Sequence, residues 1–223
     1  MGVPVVYRKT QDSAIASYDY FDIATGSGYR RLYGISAGVG SGAALTYALS
    51  TQTLDSTKPR TDQYNSGSSV YTKDIDLDFD LSFAAPQSVK GPVLAQITYG
   101  LQNINPGVQG DFFLAAAVKK VDLNSVETTL KYLSGGMYHI NVPQNAIQEY
   151  REIASLDVSK THFSAGEKLR FTTEVWTKAP ASQDFKINLY FDGANRVKSL
   201  SGNGWFASHD TNLLVDVPFV IDI

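Results

Sequence analysis

Apolar and polar residues alternate along much of the chain with a period of two. Asp74, Asp76, Asp78 and Asp80 interleave with Ile75, Leu77, Phe79 and Leu81. Successive side chains of a strand point to opposite faces, so this run predicts a strand with its four apolar residues on one buried face. Val93, Ala95, Ile97 and Tyr99 repeat the pattern after a turn around Lys90, Gly91 and Pro92. Leu169, Phe171, Thr173 and Val175 repeat it again, with Arg170, Thr172, Glu174 and Trp176 on the other face. Ile187, Leu189 and Phe191 do so once more. Residues 112–118 are apolar on both faces, which suits a strand covered on both sides. Turn formers punctuate these runs: Asn105-Pro106-Gly107, Ser134-Gly135-Gly136, Ala165-Gly166, Asp192-Gly193 and Gly202-Asn203-Gly204. The best helical candidate is residues 145–150, with Asn145 as N-cap and Glu149 in the first turn. The pattern predicts an all-β protein, an antiparallel β-sandwich of jelly-roll type with an extended N-terminal segment.

Two stretches stand apart from the alternation. Residues 34–42 are small and glycine-rich, and residues 51–69 read as a long polar surface loop. Residues 1–30 form an N-terminal arm or edge segment, because a terminus not tied into a sheet is free to reach partners. Residues 31–223 form a single sandwich domain. No solenoid or propeller repeat is visible.

Composition narrows the function classes. The 223 residues include no Cys, so there is no disulfide framework, no Cys-ligated metal and no thiol nucleophile. The net charge of -3 gives no basic footprint for nucleic acid. No apolar stretch approaches the roughly 20 residues needed to cross a bilayer. The N-terminus lacks the charge order of a signal peptide and the Ser or Thr of a myristoylation site. The expectation is a soluble protein without nucleic-acid or membrane partners.

Several constellations invite chemistry. The acidic ladder Asp74, Asp76, Asp78, Asp80 suggests calcium. Yet same-face residues on a strand lie about 6.6–7 Å apart, and calcium needs oxygens at about 2.3–2.6 Å. A solvated strand face fits better, with a basic partner surface as the alternative. Residues 38–43 formally match a glycine-rich dinucleotide fingerprint, but no helix-forming segment or βαβ alternation follows. His139, His162 and His209 fall in no metal spacing, and no Gly-x-Ser-x-Gly elbow occurs. The expectation is no enzyme, no metal and no cofactor. Tyr18, Tyr20, Phe21, Tyr29 and Tyr33 are dense near the N-terminus, and Trp176, Tyr190, Trp205 and Phe206 toward the other end. Core packing explains most of these. The functional alternatives are a partner interface and, for Trp176, Tyr190, Trp205 and Phe206, an exposed glycan-stacking platform.

Residues 73–79 with Val89-Lys90-Gly91, then residues 161–171 (Thr-His-Phe-Ser-Ala-Gly-Glu-Lys-Leu-Arg-Phe), then residues 217–223 (Val-Pro-Phe-Val-Ile-Asp-Ile) share a cadence. It resembles the jelly-roll structural proteins of tailed viruses (bacteriophages), especially capsid decoration or cement proteins. The likeness spans about residues 70–223 and rests on architecture, not on a diagnostic motif. It implies a virion structural protein on the capsid surface, clamped to a capsid or other virion protein in homo-oligomers, commonly trimers. An extended N-terminal segment often supplies such contacts, which points to Val3, Val5, Val6, Tyr7, Tyr18, Tyr20 and Phe21 as the arm. The alternative is a carbohydrate-binding or receptor-binding jelly-roll module.

Overall fold

A computed structural model describes residues 27–37, 46–52, 60–65, 70–103, 110–136, 138–139, 147–178, 184–191, 199–200, 205–206 and 213–220. The described residues form fourteen strands and no helix. In chain order they are β1 (Ser27–Ala37), β2 (Thr46–Ser50), β3 (Arg60–Asn65), β4 (Thr72–Ser82), β5 (Gln87–Asn103), β6 (Asp111–Val121) and β7 (Glu127–Ser134). Then follow β8 (Tyr138–His139), β9 (Ile147–Phe163), β10 (Lys168–Lys178), β11 (Asp184–Tyr190), β12 (Ser199–Leu200), β13 (Trp205–Phe206) and β14 (Leu214–Val220).

Twelve of these strands share one hydrogen-bonded sheet that folds back on itself, and β12 and β13 form a separate pair. The first layer runs β9-β5-β14-β1-β2. The 17-residue β5 holds β9 along one side. On its other side it holds β14 with its first half and β11, backed by β3, with its second. The second layer runs β4-β10-β6-β7, with β8 beside the start of β6. The layers join at a single parallel contact between Ala48 of β2 and Asp80 of β4, and every other pairing is antiparallel. The result is an all-β sandwich.

The alternating residues meet between the layers. Ile75, Leu77, Phe79 and Leu81 are all under 5% exposed, and so are Val93, Ala95, Ile97, Tyr99, Leu169, Phe171, Val175, Ile187, Leu189 and Phe191. Aromatic contacts lock the layers together: Phe79 meets Phe191 edge-on at 5.7 Å, Tyr99 meets Phe112 edge-on at 5.7 Å, and Phe83 meets Phe163 at a tilt at 4.9 Å.

Three local expectations, for residues 145–150, 51–69 and 34–42, are corrected. Residues 147–150 are not helical but open the 17-residue strand β9, paired with β5 from Ile147↔Gln102 onward. The ladder of a long neighbouring strand overrides a short local cap signal. The polar stretch 51–69 contains β3, an edge strand paired with β11. The glycine-rich stretch 34–42 begins inside β1, where Gly34 donates its N–H to the Leu213 carbonyl at 2.9 Å. A Cβ at Gly34 would sit 2.5 Å from Leu213 Cδ2, so the residue must be small there. Ser27–Arg30, within the segment assigned to the arm, pair with β14 as part of β1.

Candidate functional site

The outer face of the second layer is an ion-pair array. Glu174, Thr172 and Arg170 of β10 pair with Asp76, Asp78 and Asp80 of β4, and the Thr177 hydroxyl reaches Asp74. Arg170 is the hub. It grips Asp80 with Nε at 2.6 Å and Nη2 at 2.9 Å, and its Nη1 reaches Asp78 at 3.0 Å and Glu127 of β7 at 2.5 Å. Lys168 adds a contact to Asp80 at 3.2 Å, and Lys119 of β6 one to Glu127 at 3.0 Å. Asp78 also accepts from the Thr172 hydroxyl at 2.6 Å. Burial alone would raise the Asp80 carboxyl, but the hydrogen bonds and charges of Arg170 and Lys168 outweigh it and hold it below its ordinary range. Hydrogen bonding and charge from Lys119, aided by Arg170, do the same for Glu127. These carboxylates surround the Arg170 guanidinium and push its already high pKa higher.

The top of the ladder solves a like-charge problem. Asp76 and Glu174 are direct cross-strand neighbours, an arrangement that repels. Lys73 bridges them, 2.5 Å from Asp76 and 3.3 Å from Glu174. Glu174 also accepts from Trp176 Nε1 at 2.7 Å and from the Tyr132 hydroxyl at 3.2 Å. The β4–β10 register slips beside Trp176, at the level of Asp74. The Asp74 carboxylate accepts from the Thr177 hydroxyl. The ladder read from the sequence as a solvated acidic face is thus a neutralised one. Among the described residues no group of three His, Asp or Glu is arranged to hold a metal.

Trp176 is the one member of the expected platform whose surroundings are fully described, and both its faces are covered. On the β6 side Phe113 stacks on it at 5.9 Å and 7°. On the β4 side Lys73 Nζ stands over the ring at 6.0 Å. Sugar stacking needs an open ring face, which Trp176 does not offer. Tyr190 is 4% exposed, so it too presents no face to solvent, and its place in the platform is corrected. It lies in β11 next to the β5 ladder, where packing covers it. Trp205 and Phe206 form β13, paired with β12, and their side chains lie outside the described residues. So do Val3, Val5, Val6, Tyr7, Tyr18, Tyr20 and Phe21 of the arm, and His209.

The outer face of the first layer differs in kind. Side chains of β9, β5, β14 and β1 stand in rows across it. One row is Ser155, Leu94, Asp216, Arg31, and the next is Ile153, Gln96, Leu214, Tyr33. Ile153 is 75% exposed, Tyr29 58% and Leu94 38%. Arg31 meets Asp216 through a forked pair, both bonds 2.9 Å long. Alternation marked the faces of β5 but not its neighbours, and it was not read along β9, so this patch was not foreseen.

A serine and a histidine also meet on this layer. Ser88 Oγ lies 3.3 Å from His162 Nδ1. Ser88 is 1% exposed and sits in ladders on both sides, with His162 of β9 and Val220 of β14. A nucleophile needs an approach path for its substrate, and this hydroxyl is closed off by its own sheet.

No protein-family model matches the chain, and no curated protein sequence matches it. Solved structures do. A CocE/NonD family hydrolase from Staphylococcus aureus is 15% identical, with a TM-score of 0.46 over 87% of this chain and 37% of the hydrolase. An aminopeptidase from a marine sediment archaeon, Thaumarchaeota archaeon, is 11% identical, with a TM-score of 0.49 over 87% of this chain and 37% of the enzyme. The infectious bursal disease virus Gx strain structure is 10% identical, with a TM-score of 0.23 over 85% of this chain and 42% of that one. The chain spans little more than a third of the length of the two enzymes. No residue role, substrate or activity is carried from any of them to this chain.

These matches correct one expectation. The chain was expected not to be an enzyme, because no nucleophile elbow, metal spacing or thiol is present. The solved structures it matches include hydrolases, and on that finding the expectation is withdrawn. The physical reason is that catalytic groups converge in space from different strands, so missing spacings in the sequence exclude nothing. The similarity to the infectious bursal disease virus structure, at a TM-score of 0.23, carries no argument for a virion role.

Proposed function

We propose that this sandwich is a surface-binding jelly-roll domain of a virus particle, held on the capsid or another shell protein in homo-oligomeric copies. One observation carries the binding part. The outer face of the first layer leaves Ile153 of β9, Leu94 of the neighbouring β5 and, beyond β14, Tyr29 of β1 exposed, while the charges of the opposite layer are internally paired. An exposed apolar patch on an ordered sheet marks a contact surface. The virion setting is supported by the sequence cadence that resembles decoration proteins. Shell attachment through the arm residues Val3, Val5, Val6, Tyr7, Tyr18, Tyr20 and Phe21 belongs to the same proposal. Many weak identical contacts add up on a lattice, so a modest patch is enough.

Electron cryo-microscopy of the native particle tests this reading. The expected result is the sandwich in symmetric copies on the shell. A truncation beginning at Asp22 is expected to stay folded and lose particle binding. Particles that carry no density for this chain overturn the proposal, and undiminished binding of the truncation overturns the arm.

A further inference from the structure

We propose that the outer face of the first layer is the contact between two copies of this chain, related by a two-fold axis lying in the face. The inference deepens the decoration reading and rests on it for its setting. The first observation is the composition of the face. Across β9, β5, β14 and β1, its middle is Ile153, Leu94, Leu214, Tyr33 and Tyr29 around the Arg31–Asp216 pair. Ile153 alone is 75% exposed. Interface centres are enriched in aromatic residues and Arg, here Tyr33, Tyr29 and Arg31.

The second observation is charge complementarity. On this face β9 carries Arg151, Ile153, Ser155 and Asp157 in order, all exposed. A positive end and a negative end thus stand six residues apart, about 20 Å, with an apolar residue between. A two-fold axis crossing the strands at the level of Ala154 reverses β9 on the second copy. It then sets Arg151 against the partner's Asp157, and Asp157 against the partner's Arg151. A two-fold interface must be complementary to itself, and this charge order is. The layers of the two copies would pack face to face at about 10 Å, as sheets do.

Size sets the expected strength. Four strands by seven residues is a flat area of about 450 Å², below the roughly 800 Å² per partner of a standard interface. The pair is therefore weak in solution and gains from a lattice that holds many copies.

Sedimentation of the full chain over a concentration series tests it. The wild type is expected to show a monomer–dimer equilibrium. Ile153→Lys is expected to raise the dissociation constant about tenfold or more while leaving the circular dichroism and melting curve unchanged. Arg151→Glu and Asp157→Lys alone are each expected to weaken the dimer. Mixed one to one, the two variants are expected to regain it, since each then meets its opposite charge at both contacts. That rescue cannot come from folding effects within one copy. A wild type that stays monomeric at its highest soluble concentration overturns the inference. So does a trimer, or a dimer indifferent to Ile153→Lys. Loss of particle decoration by Ile153→Lys with a monomeric wild type also overturns it and gives the face to the shell protein. The two proposals fail separately: a dimer in solution needs no particle, and a decorating monomer needs no dimer.

Discussion

The outer face of the β4–β10–β6–β7 layer and the outer face of the β9–β5–β14–β1 layer share strand geometry but not chemistry. The first carries Asp76, Asp78, Asp80, Lys119, Glu127, Lys168, Arg170 and Glu174, joined by bonds of 2.5–3.3 Å. The second carries the forked Arg31–Asp216 pair, with Arg151 and Asp157 on β9, among exposed apolar side chains. A face whose charges are consumed by its own neighbours has little left to offer a partner. A face that leaves Ile153 and Tyr29 in water gains by covering them, at about 25 cal/mol per Å² of apolar surface. The difference also assigns stability: substitutions on the paired face should damage folding, and substitutions on the apolar face should damage association.

The largest expected effect is at the hub. Arg170→Met removes the cation shared by Asp78, Asp80 and Glu127 and leaves Lys168 on Asp80 and Lys119 on Glu127 to offset their mutual repulsion. Breaking a buried pair costs about 3–5 kcal/mol. Arg170 is at the rim, its side chain 18% exposed, so about 2–3 kcal/mol is expected after screening. Urea unfolding measures it. Arg170→Lys should recover only part, because a point charge cannot fork onto Asp80. A loss under 0.5 kcal/mol would break the contrast between the faces.

Acid should act through the same face. Asp80 and Glu127 are held below their ordinary values of 3.8 and 4.5. A carboxyl depressed in the folded state contributes stability that is whole above its unfolded pKa and fades as pH falls through its folded one. The contribution of these two groups is therefore intact down to about pH 5 and declines below about 4.5. Melting temperature against pH checks the limb, and Arg170→Met should flatten it.

Interior close packing gives the first layer its own weak point. Gly34→Ala places a Cβ against Leu213, which is 2% exposed and has no room to yield. Overpacking of this kind costs about 1–3 kcal/mol. The layer is thus tolerant on its outer face and intolerant at Gly34, which thermal melts of the two classes of variant would separate. A smaller change of opposite sign is expected in the β6–β7 turn. Ser125 holds φ at 63°, a left-handed conformation that favours glycine. Ser125→Gly should gain about 0.5–1 kcal/mol in the same melts.

Much of the fold was legible in the sequence, because burial in a strand writes itself as alternation. Ile75, Leu77, Phe79 and Leu81 could face only one way, and they do. What alternation could not supply was the neighbour. Asp80 finds Arg170 ninety positions away, and Arg170 finds Glu127 forty-three away. One signal was present. The order Arg170, Thr172 run backwards against Asp80, Asp78 sets a cation and a hydroxyl beside carboxylates. An antiparallel β4–β10 pair could have been inferred from it. Trp176 and Tyr190 misled for the same reason. Their exposure depends on Phe113, Lys73 and the β5–β11 ladder, none of which is local in sequence.

The smallest expected effect on folding is also the sharpest test of the contrast. Arg31→Ala removes a forked bond to Asp216, yet the Arg31 side chain is 60% exposed. Exposed pairs are worth about 0–1 kcal/mol, because water and salt already screen both charges. Asp216, with its side chain 24% exposed, stays solvated when its partner is gone. A loss within about 0.5 kcal/mol is therefore expected, an order of magnitude milder in its equilibrium constant than the loss at Arg170. Equal losses at Arg31 and Arg170 in urea unfolding would mean that both faces stabilise the fold alike. The apolar face would then have no claim to be the one kept for a partner.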